Sequence, residues 1–157
     1  MKRQWTADEL TEHWTLHPAD LALLANKLAA TRLGCALLLK YFHHEGRFPQ
    51  HKGDSPAAAI VQVARQRGVP PELYAQYDWT GRTIAAHRAQ IRQALGFREA
   101  TMQDADDLAA WLGREVLPHD QRPEHLHAAV YARCRAGQIE PPSAGRLDRL
   151  IRSALRA

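Results

Sequence analysis

The sequence predicts an all-α chain of about eight helices, arranged as two small contacting helical domains of helix-turn-helix type. Apolar residues recur at helical spacing along its length, and Pro, Gly and Ser/Thr stand where helices start and stop. No stretch of four or more residues alternates cleanly enough to be a strand.

Thr6 with Glu9 forms a capping box ahead of a short first helix. Pro18 opens a second, with Leu21, Leu24 and Leu28 on one face. A third helix starts at Thr31 and runs to about His44, closed by Gly46 and Pro49. Its run from Leu33 to Phe42 is apolar almost all round, which predicts the central helix of the first half. Arg47 to Asp54 reads as a loop, and Ser55 caps a helix that carries Ile60, Val61, Val63 and Ala64 and stops at Gly68. Pro70-Pro71 begins a short helical turn through Tyr74 and Tyr77. Four more helices follow: from about Thr83 to Leu95 before Gly96, from a Thr101 cap to about Val116, from about Pro123 to Arg135 before Gly137, and from a Ser143 cap to the terminus.

A chain of 157 residues, 45% hydrophobic and 24% charged, can bury a real core. Cys35 and Cys134 are too far apart in sequence for a paired-thiolate zinc pattern, and two cysteines exclude a disulfide scaffold. Acidic residues near the N-terminus argue against a targeting peptide. The longest apolar stretch, Leu33 to Leu39, falls far short of the ~20 residues that span a bilayer. A cytoplasmic protein that enters no membrane is expected. The candidate boundary lies near Asp78, which gives domains 1–78 and 79–157 without a long linker.

The net charge of +4 is unevenly distributed. Residues 1–54 carry seven bases and six acids, and residues 101–157 carry eight of each. Positions 79–98 hold Arg82, Arg88, Arg92 and Arg98 with no acid, so this window alone accounts for the excess. On a helical projection Ile84, Ile91 and Leu95 form one apolar stripe, and Arg88 and Arg92 stack along its flank, expected outside the packing. Ala89, Gln90 and Gln93 take the opposite side. Guanidinium forks suit phosphates and the guanine edge, and Thr83 could add a phosphate contact at the helix start. A solvated basic face accounts for the same pattern without a ligand.

In the first half, the helix from 18 to 28, a break, and the helix from 31 to 44 have helix-turn-helix proportions. Lys27 and Arg32 flank the break, and Lys40, Arg47 and Lys52 gather at and after the second helix. From spacing alone an ordinary helical hairpin with a basic loop is the favoured reading. The histidines lack metal-ligand spacing, and Asp104, Asp106 and Asp107 suit a helix N-terminus better than acid-base chemistry. The three serines occupy no nucleophile elbow and there is no Gly-rich phosphate loop, so neither catalysis nor a cofactor or metal is expected.

The run Tyr77-Asp78-Trp79, Gly81-Arg82-Thr83, His87-Arg88, Ile91-Arg92, Leu95-Gly96-Phe97-Arg98 and Trp111-Leu112 resembles the N-terminal region of the large replicative transposases of the Tn-three family. Thr31-Arg32-Leu33-Gly34, Glu45-Gly46-Arg47-Phe48-Pro49, and the ending around Ile139-Glu140-Pro141-Pro142 are similar to it as well. That resemblance implies consecutive helical domains that bind the terminal inverted repeats of a transposon. It places the family's acidic nuclease residues far downstream, so this chain would not cut or join DNA, and self-association would come through the longer protein. The expected function is sequence-specific binding of double-stranded DNA in transposition. Charge and helix position, not the resemblance, make Arg82, Arg88, Arg92 and Arg98, supported by Thr83 and His87, the expected contacts in the second domain, and Lys27, Arg32, Lys40, Arg47 and Lys52 those expected in the first. The alternative is a helical interaction or oligomerisation module with an acidic partner.

Overall fold

The computed structural model describes residues 1–156, which form two compact units, one of them Met1–Leu95 and the other beginning at Gly96. In the first unit the helices are α1 (Ala7–Trp14), α2 (Pro18–Leu24), α3 (Ala29–Glu45), α4 (Ala57–Arg67) and α5 (Arg82–Leu95), with a short 3-10 turn at Pro71–Gln76. In the second they are α6 (Met102–Trp111), α7 (Pro123–Ala136) and α8 (Ala144–Arg156).

The expected capping box closes the start of α1: Thr6 Oγ1 accepts from Glu9 N–H at 3.1 Å, and Glu9 Oε1 accepts from Thr6 N–H at 2.9 Å. At the other end of α1, Gln66 of α4 donates to the Trp14 carbonyl at 2.7 Å and accepts from Leu16 N–H at 2.8 Å, so an orphan carbonyl is satisfied across the core. The apolar run of α3 is buried continuously from Leu33 to Phe42, and α1, α2, α4 and α5 all pack on it. Gly46 at φ 73° ends α3 in the left-handed conformation that glycine adopts at no steric cost.

Two local expectations are corrected. Helix α2 ends at Leu24, so of the apolar face read from 18 to 28 only Leu24 is buried, and Leu28 is 76% exposed. At α4 the cap position is Pro56, and Ser55 lies buried one residue before it. A two-residue parallel pairing, β1 (Arg98–Glu99) with β2 (Ile139–Glu140), joins the segments flanking α6 and α7. Two residues leave no alternation for a sequence to display.

The division of the chain falls after α5, not near Asp78. Helix α5 belongs to the first unit because Ile84, His87 and Ile91 are buried and it packs on α3. The second unit has its own core of Leu108, Leu112, Leu126, Val130, Cys134, Leu147, Leu150, Ile151 and Ala154. Helix α6 is capped by Thr101 as expected and passes at Leu112 into a wide turn in which Leu117 N–H reaches the Leu112 carbonyl at 2.9 Å. Among the described residues no helix is long and apolar enough to cross a membrane.

Candidate nucleic-acid interface

Helix α5 is seated by an aromatic stack. Gly34 lies on α3 without a side chain, and the Tyr77 ring occupies that space: a Cβ at Gly34 would meet Tyr77 Cγ at 2.1 Å. The Tyr77 ring stacks on His87 with centroids 5.7 Å apart, and its hydroxyl lies 2.6 Å from His87 Nδ1. Asp78 Oδ1 then accepts from Thr80 N–H and Oγ1, and Gly81 turns the chain at φ 89° into α5.

This seating decides which predicted contacts face outward. His87 is 4% exposed, and burial together with the positive charge of Lys27 lowers its pKa, so it is a neutral core group and not a surface donor. Arg88 is half-buried with its guanidinium carbon 5.6 Å from the Phe48 ring and 5.9 Å from Trp79, so it packs inside the fold, contrary to expectation. Arg82 and Thr83 are exposed at the start of the helix, and Arg92 is partly exposed along its flank.

Arg98 belongs to the second unit and is spent there. Its two terminal nitrogens donate to Asp104 Oδ2 at 2.6 Å and Oδ1 at 2.9 Å, while Asp104 also accepts from Thr101 N–H at 2.7 Å. These hydrogen bonds, Arg98 first, hold the Asp104 carboxyl well below its usual range. The pair fastens β1 to the start of α6.

The basic residues predicted for the first half are mostly structural. Lys40 is 3% exposed and its Nζ lies 3.1 Å from Asp20, which also accepts from His17 N–H at 2.8 Å. Lys27 is buried and donates to the Leu23 carbonyl at 3.2 Å and Asn26 Oδ1 at 3.1 Å, closing the end of α2. Arg32 Nε donates to the Lys27 carbonyl at 2.7 Å, and Lys52 Nζ to the carbonyls of Ala75 at 2.9 Å and Tyr77 at 2.6 Å. Arg47 is partly exposed, 6.0 Å from the Tyr41 ring. Helix α3 therefore has no free face for a groove, and the α2–α3 pair is a core hairpin.

What remains outward is a face of α5. Arg82, Ala86, Ala89 and Gln93 recur at helical spacing on one line, with Thr83 and Gln90 beside it, and all six are exposed. The sequence reading put Gln90 and Gln93 opposite the apolar stripe without counting them as contacts. Their signal was present in the same projection: a polar amide face free of acids. The alanines let a helix of ~10–12 Å diameter approach a surface closely, and the amides and Arg82 supply both hydrogen-bond donors and acceptors.

Two comparisons with known proteins bear on the chain as a whole. The chain is 30% identical over 149 residues to the transposase for transposon Tn3926 from Escherichia coli, an alignment that covers 94% of this chain and 15% of that protein. The chain thus matches a small part of the length of this curated relative and is related in sequence to a transposase. The model of a family described as a domain of unknown function (DUF4158) matches residues 1–154, and to that family the chain belongs.

Proposed function

We propose that this chain is a DNA-recognition module of a transposase, which binds the terminal inverted repeats of its transposon through α5. The observation that carries the reading is the outward face of α5, where Arg82, Gln90 and Gln93 stand among alanines with no carboxylate on the helix. The major groove of B-DNA is ~12 Å wide and admits one helix. A glutamine amide pairs with adenine N6 and N7, an arginine fork with guanine O6 and N7 or a phosphate. Thr83 at the first turn adds a hydroxyl for the backbone, and partly exposed Arg92 flanks the face. The relation to a transposase supports a duplex as the ligand, and the cutting and joining steps belong to the rest of such an enzyme.

The test is fluorescence anisotropy with a terminal-repeat duplex and a scrambled duplex of equal length. The chain should prefer the repeat. Each well-placed bidentate base contact is worth about 1–3 kcal/mol of discrimination, so Gln90→Ala with Gln93→Ala should cut the preference about tenfold or more while helical content stays unchanged. Equal affinity of the parent chain for the two duplexes would overturn the reading and favour a module with an acidic protein partner.

A further inference from the structure

Resting on that duplex-binding reading, we propose that α8 is a second DNA contact, a helix whose Arg146, Arg149, Arg152 and Arg156 grip the phosphates of one strand. The apolar side of α8 is committed to the core: Leu147, Leu150, Ile151 and Ala154 are all buried. At 100° per residue the four arginines fall within an arc of about 120° on the opposite side. All four are exposed.

Four acids of this unit hold partners other than these arginines. Asp104 holds Arg98, Asp120 holds Arg122 and His125, Glu115 holds Arg114, and Asp148 Oδ1 lies 2.9 Å from His127 Nε2. Within α8 itself, Arg152 Nε makes only a long 3.4 Å hydrogen bond to the Asp148 carbonyl. One carboxylate, Asp106, lines the groove between α6 and α8 together with Arg146, Arg149 and Ser153. Met102, 86% exposed, lines the same groove and offers apolar contact to a sugar edge.

The arrangement suits phosphodiesters better than a membrane surface or a merely solubilising role. A solubilising helix face mixes both signs, whereas every charged residue on this arc is arginine, whose planar fork matches a phosphate. An amphipathic helix that binds membranes must insert its apolar side, and here that side is inside the fold. From Arg146 to Arg156 the helix rises about 15 Å. Because the strand winds around the duplex axis as it rises roughly 3.4 Å per phosphate, that length faces about two or three phosphates of one strand.

The experiment uses the full chain, the same two duplexes and a salt series. For B-DNA each neutralised phosphate contributes about 0.9 to the slope of log affinity against log salt. The triple variant Arg146→Gln, Arg149→Gln, Arg152→Gln should lower that slope by about 2–3 and weaken both duplexes about tenfold, with their ratio unchanged. Glutamine keeps helix propensity near that of arginine, and Arg149→Gln alone should lower the slope by about one. Unchanged slopes in both variants, with the parent still binding, overturn the α8 contact and leave the α5 reading intact. A changed ratio with unchanged slope overturns the phosphate assignment in favour of base reading. A parent chain that binds polyglutamate but neither duplex overturns both proposals.

Discussion

Replacing Gly34 by Ala sets helix propensity against packing. In an exposed helix interior the change stabilises by about 1 kcal/mol. On α3 the added Cβ would stand 2.1 Å from Tyr77 Cγ and 2.2 and 2.4 Å from its two Cδ atoms, where ordinary contact begins near 3.4 Å. The ring must retreat by more than an ångström, and it is pinned from several sides. Its hydroxyl meets His87 at 2.6 Å, its plane runs parallel to the His87 ring, and Lys52 holds the Tyr77 carbonyl at 2.6 Å. Overpacking costs about 1–3 kcal/mol, and losing the buried hydrogen bond about 1 more. After the propensity gain, Gly34→Ala should destabilise by about 1–3 kcal/mol, read as a lower urea midpoint by circular dichroism. Gly113→Ala is the control, because nothing lies within 4 Å of a Cβ there, and it should be neutral or slightly stabilising. A Gly34→Ala chain as stable as the parent would refute the account of how α5 is seated. Because the ring links α3 to α5, the same substitution should also erode any preference for the repeat duplex.

Lys40→Ala leaves Asp20 buried without its partner and should cost about 3–5 kcal/mol in urea denaturation, while the affinity of the folded fraction for DNA stays unchanged; a weakened folded fraction would return Lys40 to the interface. His87 has a lowered pKa, so below its unfolded value of about 6.5 the unfolded chain takes up a proton that the folded one refuses. Stability of the first unit should therefore fall as pH drops from 7.5 to 5, and His87→Gln should flatten that part of the profile. His127 runs the other way. Burial opposes its charge, but the Pro123 carbonyl and Asp148 outweigh that and raise its pKa, so its contribution is full below about 6.5 and is lost as pH rises through the raised value, a trend His127→Gln should remove. Burial pushes both Cys35 and Cys134 up to about 11, so iodoacetamide at pH 8 should label the native chain slowly and the urea-unfolded chain fast; rapid native labelling would contradict the packing of α3 and α7.

The fold was largely legible from one-dimensional signals, because capping and termination are local. Thr6 with Glu9, Thr101 with Asp104, and Gly46 act within a few residues of the helix ends they control. The apolar run of α3 announced its burial because a helix without a polar side must be covered on every side. The site was less legible. A lysine in a basic cluster reads alike whether it faces solvent or, like Lys40, a buried aspartate twenty residues earlier. Arg88 shares its helical flank with Arg92, and only the approach of Phe48 and Trp79 turns it inward.

The sequence by itself determined an all-α chain, where most of its helices begin and end, and the buried run of α3 and the buried stripe of α5, since all of these depend on neighbours within a turn or two. Tertiary structure decided which charges are available. The window with all the net charge keeps Arg82 exposed at its surface and spends Arg88 and Arg98 on packing and pairing. The balanced C-terminal segment hides an arginine face on α8, because several of its acids are paired elsewhere in the unit. Counting charge along a chain cannot reveal this, because pairing depends on distances in space that only the packed helices set.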